Sequence, residues 1–169
     1  MIEVEAQVVL PVPPAEAFRV LARWGDQPRW MRDADRVQVL EGPGEGVGTR
    51  LAVRTRVLGL AALTDVLEVV AWDPPRRIAV AHRGPVRGLG EWDLCPVAAG
   101  TRFVWRERLE LPVPLVGPLA LRAYRPLMRR LMRRSLAGLR RFVERAMQER
   151  GGPPAADVAR DDPSGRRTT

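Results

Sequence analysis

The chain has 169 residues, 46% of them apolar, and 28 basic against 20 acidic side chains, for a formal net charge of +8. That length suits one domain of ordinary size, and the apolar content excludes global disorder. A single cysteine, Cys95, excludes an intramolecular disulfide framework, and with His82 the only histidine there is no basis for a Cys/His zinc site.

Residues 2–10 alternate Ile2, Val4, Ala6, Val8 and Leu10 with Glu3, Glu5 and Gln7, which predicts a half-buried strand. Pro11 to Pro14 end it, and Pro13-Pro14 open a short helix to about Trp24, because proline suits a first helical turn. A second short turn is expected to carry Trp30 and Met31. Residues 36–41 read as a strand, and Gly42-Pro43-Gly44-Glu45-Gly46 as a turn.

From Val47 to Leu111 the period is two. Leu51, Val53, Thr55 and Val57 oppose Arg50, Arg54 and Arg56. Strands follow at 62–72 and at 77–83, with a turn at Asp73-Pro74-Pro75 between them. A strand over 88–95 sets Trp92 and Leu94 against Glu91, Asp93 and Cys95. A last strand over 101–111 sets Phe103, Trp105, Glu107 and Leu109 against Arg102, Arg106, Arg108 and Glu110. Short connections between such strands predict an antiparallel meander with one wet face.

Residues 119–149 are predicted helical. At about 100° per residue, Tyr124, Met128, Leu131, Ser135, Leu139, Phe142, Val143 and Ala146 share one face, and Arg122, Arg129, Arg130, Arg133, Arg134, Arg140, Arg141 and Arg145 the other. Every basic residue in the chain is arginine, and residues 119–150 hold ten of them with two glutamates. Residues 1–118 and 151–169 are each electrically balanced, so the whole excess charge belongs to this one helix. Gly151-Gly152-Pro153-Pro154 stop it, and the polar tail from 151 to 169 is expected to be disordered. No apolar run reaches the roughly 20 residues of a membrane span, and the N-terminus lacks the pattern of a signal peptide. The expectation is a soluble cytoplasmic protein of one domain, residues 1–150.

The expected class is therefore α+β, with a curved antiparallel sheet of about seven strands wrapped on a long C-terminal helix and two short helices after the first strand. This pattern resembles the START-like or Bet v 1-like superfamily (SRPBCC), also called the polyketide cyclase/dehydrase and lipid-transport superfamily. The residues that carry the resemblance are Pro13-Pro14-Ala15-Glu16-Ala17-Phe18, Trp30, Gly46-Val47-Gly48-Thr49, Asp73-Pro74-Pro75-Arg76-Arg77, Gly100-Thr101-Arg102 and the closing helix. It spans residues 1–149. It implies a helix-grip fold whose sheet and C-terminal helix enclose a cavity for an apolar small molecule. It also implies a choice among lipid and quinone carriers, hormone receptors, aromatic polyketide cyclases and chaperone activators, which the fold alone does not make.

Alternation supplies the inward positions: Ile78, Val80, His82, Trp92, Leu94, Phe103, Trp105, Glu107 and Leu109 on strands, and Tyr124, Met128, Leu131, Met132 and Ser135 on the helix. Trp30, Val80, Trp92, Phe103, Trp105, Tyr124, Met128, Met132 and Ser135 are the candidate ligand contacts, against a plain core role for the same side chains. His82 and Glu107 share apolar registers and are the candidate acid/base pair for a cyclisation or dehydration. The bland alternative pairs Glu107 with an arginine at the cavity mouth and leaves His82 at a solvated strand end. Arg54, Arg56 and Arg83 should point outward, so the strands offer no inward arginine of the kind that cyclases of this superfamily would use on an enolate. Cys95 stands on a polar register and reads as inert. Ser135 is expected to bond its own helix backbone. Leu58 to Leu63 and Leu115 to Leu119 are candidate lips of the cavity.

Three functions remain open: a binder or carrier of a lipid-like or polyketide-like molecule, an aromatic polyketide cyclase/dehydratase, and a protein-interaction module using the arginine face, which a filled core would favour. An apolar cavity reached by both His82 and Glu107 would favour the enzyme. No metal or cofactor is expected. The arginine face reads as solvated, or as a weak contact for an anionic membrane. Nucleic acid is not expected, because no aromatic platforms interleave the arginines.

Overall fold

The computed structural model describes residues 1–57, 60–110 and 118–151, with the backbone alone for 56, 57, 60–63, 118–124, 150 and 151. The strands are β1 (Ile2–Leu10), β2 (Ala34–Glu41), β3 (Arg50–Val57), β4 (Leu60–Asp73), β5 (Arg77–His82), β6 (Arg87–Val97) and β7 (Gly100–Glu110). They form one antiparallel sheet in the order β1-β7-β6-β5-β4-β3-β2, so the meander runs from β2 to β7 and β1 closes on its last member. Helices α1 (Pro14–Ala22) and α2 (Gln27–Trp30), with a 3-10 turn at Trp24–Asp26 between them, carry the chain from β1 to β2, the two edges of the sheet. The long α3 (Pro118–Gly151) lies against the concave face, as a helix-grip arrangement requires. It runs through Pro126, whose side chain is exposed and which, without an N–H, leaves one backbone bond of the helix unmade.

Alternation along β1 buries Ile2, Val4 and Ala6 and exposes Glu3, Glu5 and Gln7. On β4 the alternation changes phase. Val69 pairs with Val80 and Ala71 with Ala79, leaving Val70 as an extra, exposed residue between them. Asp65 and Val69 are therefore buried on one side of this bulge, while beyond it Trp72 turns inward to meet Phe18 at a ring separation of 5.1 Å.

The closed half of the grip is filled with aromatic side chains. Trp92 is its hub, with Trp24, Trp30, Phe103 and Trp105 all at ring separations of 6.0 to 6.2 Å. The contacts to Trp30, Phe103 and Trp105 are edge-to-face, and such contacts add about 0.5–1.5 kcal/mol each beyond area burial. Leu136, Leu139 and Val143 of α3 close that half from above. The other half, toward the ends of β5 and β7 that carry His82 and Glu107 and the N-terminal half of α3, is not filled.

The candidate tail lies outside the described residues apart from the backbone of 151, which ends α3, and so do the two candidate lips apart from the backbone of 60–63, 118 and 119. No helix among the described residues is long and apolar enough to cross a membrane.

Candidate functional site

In the unfilled half, sheet and helix leave a cavity of about 390 Å3. Leu51, Val53, Leu67, Val80 and Leu109 line its floor, Leu127, Met128 and Leu131 its roof, and Trp24, Trp92 and Trp105 its inner end. Its polar residues are Gln27, Arg32, Asp33, Thr55, Asp65, His82 and Glu107.

Three of these form one chain of hydrogen bonds. His82 Nδ1 donates to Asp65 Oδ2 at 2.6 Å, and His82 Nε2 to Glu107 Oε2 at 3.3 Å. The other carboxylate oxygens are also held. Trp105 Nε1 donates to Glu107 Oε1 at 2.6 Å, and the Val66 backbone N–H donates to Asp65 Oδ1 at 3.0 Å. Local sequence explains the placement. Trp105 and Glu107 are two apart on β7 and so face the same side. Glu107 pairs across to Gly90, and a β-carbon at Gly90 would stand 2.9 Å from Glu107 Oε1 and 3.1 Å from Oε2. At Gly84 a β-carbon would stand 2.1 Å from Asp65 Oδ1. The missing side chains thus make the seats for both carboxylates.

Burial acts against a charge on His82, but the hydrogen bonds and charges of Asp65 and Glu107 outweigh it, and the imidazole pKa rises from 6.5 to about 9. At neutral pH the ring is an imidazolium with both N–H groups engaged. Asp33, in the segment between α2 and β2, joins the same cavity. Burial, followed at a distance by the charge of Glu107, raises its pKa, while its own backbone hydrogen bond opposes the rise. Its Oδ1 is buried with no hydrogen-bond partner among the described residues.

The candidate residues therefore separate into groups. Val80, His82, Trp92, Trp105, Glu107 and Met128 line the cavity. Trp30, Phe103, Met132 and Ser135 do not: they lie deeper, where helix and sheet converge, and are buried in the filled half. Ser135, expected to bond its own helix backbone, instead accepts the Arg32 backbone N–H at its Oγ at 3.1 Å. The Tyr124 side chain lies outside the described residues. Glu107 meets a buried histidine and an indole rather than an arginine at the mouth, and His82 is not at a solvated end.

Sequence reasoning missed Asp33, Asp65 and Arg32. Arg32 is an arginine on the cavity lining, and it comes from the α2–β2 connection rather than from a strand. Arg83 points outward and pairs with Glu68 at 2.8 Å, and Arg54 with Asp35 at 3.7 Å. On α3, Arg125, Arg129, Arg130, Arg133, Arg134, Arg140, Arg141 and Arg145 are all exposed.

Known proteins share this architecture. Residues 1–144 match the model of a family described as polyketide cyclase / dehydrase and lipid transport. The crystal structure of a protein from Thermus thermophilus superposes with a TM-score of 0.76 at 26% identity, covering 86% of this chain and 99% of that one. The ZhuI aromatase/cyclase of a Streptomyces species gives 0.69 at 21% identity, over 90% of this chain and 99% of that one. A START superfamily protein from Mycobacterium smegmatis gives 0.68 at 14%, over 85% and 98%. The curated proteins give no significant match.

Proposed function

Because the chain belongs to the polyketide cyclase/dehydrase and lipid transport family, we propose that it binds or carries a mainly apolar, lipid-like or polyketide-like molecule in the cavity between sheet and α3. The observation that carries this reading is the cavity itself: about 390 Å3 bounded chiefly by leucine, valine and tryptophan, with the ionisable groups of Asp33, Asp65, His82 and Glu107 on its lining. That is the composition of a small-molecule site, in which apolar walls supply affinity and a few placed polar groups supply orientation. Native mass spectrometry of the purified protein tests it. A co-purifying apolar compound is expected, and Val80→Arg, which crowds the floor, should remove it. Bare protein that also fails to take up an apolar fluorescent dye would sink the proposal.

A second reading, a dehydrating cyclase, is favoured by His82 and Glu107 sharing that cavity. In it Glu107 takes a proton from carbon beside a carbonyl, and the imidazolium of His82 gives one to the departing hydroxyl, which leaves as water. His82 could serve only as the acid, because neither ring nitrogen is free to accept a proton. Glu107→Gln should then retain the ligand and lose turnover of a β-hydroxyketone substrate; unchanged turnover would exclude this role.

The exposed arginines of α3 support weak contact with an anionic membrane from the side opposite the cavity. Flotation with vesicles should appear with anionic lipid at low salt and vanish without it; binding that ignores lipid charge would refute the contact.

A further inference from the structure

The charged groups of the cavity are chiefly acceptors; one neutral donor on its lining, the Trp92 indole N–H, is buried without a partner among the described residues. Asp33, Asp65 and Glu107 bring three carboxylates to its lining, against the imidazolium of His82 inside and the exposed side chain of Arg32. Both His82 N–H groups are spent on Asp65 and Glu107, and the Trp105 indole N–H on Glu107. Asp33 Oδ1 is buried and accepts nothing from the described residues. A desolvated carboxylate oxygen without a donor is costly, and a ligand that supplies one removes that cost. Three indoles, those of Trp24, Trp92 and Trp105, line the same space, and indole is the aromatic group that best attracts an organic cation. A ligand ending in a carboxylate would bring a fourth acceptor and a further negative charge into this setting.

We propose that the ligand is an organic amine, held as its ammonium by the carboxylates of Asp33 and Glu107 beside the tryptophans, with its apolar body against Leu51, Val53 and Val80. This rests on the reading of the cavity as a ligand site and names the chemical class of its occupant. The raised pKa of Asp33 accords with it, since an ammonium would offset the burial and the neighbouring charge that cause the rise.

Three probes with one apolar body, naphthylethylamine, naphthylethanol and naphthylacetate, separate the outcomes by titration calorimetry on the intact protein. The amine should bind at least about tenfold tighter than the alcohol, and the carboxylate weakest of the three. Asp33→Asn should weaken the amine about tenfold and leave the alcohol nearly unchanged. The ranking on the unaltered protein needs no variant, so a folding defect in Asp33→Asn would not rescue the idea. Equal affinities for amine and alcohol, or a carboxylate that binds as well as the amine, overturn the amine assignment while leaving the cavity a ligand site. Binding of none of the three overturns the cavity reading and this inference with it.

Discussion

One sheet carries two sets of ion pairs, and they stand in opposite settings. On the convex face Arg106 joins Glu5 at 2.7 Å and also Asp93, Arg83 joins Glu68, and Arg108 reaches Glu91 and Glu3; these arginine side chains are 34–48% exposed. On the concave face His82 joins Asp65 and Glu107 with side chains only 14% and 8% exposed. The same strand serves both sides, since Arg106 and Arg108 point outward from β7 while Trp105 and Glu107 point inward. Outside, water reaches each of these arginines whether or not it is paired, and only Glu91 among their partners is buried, at 8% exposure between Arg77 and Arg108. Inside, each group depends on its partners, so the concave set is a unit and the convex set a collection.

The largest break in that contrast should come from Glu107→Ala. It strands a buried imidazolium on one side and the Trp105 indole N–H, and removing one partner of a buried pair costs about 3–5 kcal/mol. Urea denaturation should show this as a lowered midpoint; a change below about 1 kcal/mol would mean that solvent reaches the cluster.

The next effect is set by pH. The pKa of His82 is raised above its unfolded value, so its contribution is fully present below about 6.5, the unfolded pKa, and is lost as pH rises through about 9. Stability should therefore fall between those limits by up to roughly 3 kcal/mol. In His82→Gln the slope over this range should flatten, and an unaltered slope would remove His82 as its source.

The smallest effect should be Arg83→Ala on the convex face, less than about 1 kcal/mol and smaller still in high salt. A loss comparable to that of Glu107→Ala would erase the distinction between the faces.

Much of the architecture could be read from period two alone. Alternation on β5, β6 and β7 put Val80, His82, Trp92, Trp105 and Glu107 on one face, and the 3.6 period of α3 put Met128 and Leu131 opposite them. It did not show how deep each position lies, so Trp30, Phe103, Met132 and Ser135 were indistinguishable from true cavity residues. Asp65 was hidden for a different reason. Its approach to His82 depends on the register of β4 against β5, and the extra residue Val70 reverses the apparent phase of β4 midway. Asp33 and Arg32 stand in a connection with no period to read. Only the chain's return past Ser135 brings them to the cavity.

The two glycines that seat the carboxylates have a genetic consequence. Every missense change of a single base in a glycine codon adds a side chain. At Gly90 the added carbon would press on Glu107, and at Gly84 on Asp65 and on the Val66 backbone nitrogen. Random mutagenesis scored by ligand retention should therefore mark positions 84 and 90 as sensitively as those of the acids themselves. Neither glycine contributes an atom that could hold a ligand or move a proton, so a search for functional groups alone would pass over both.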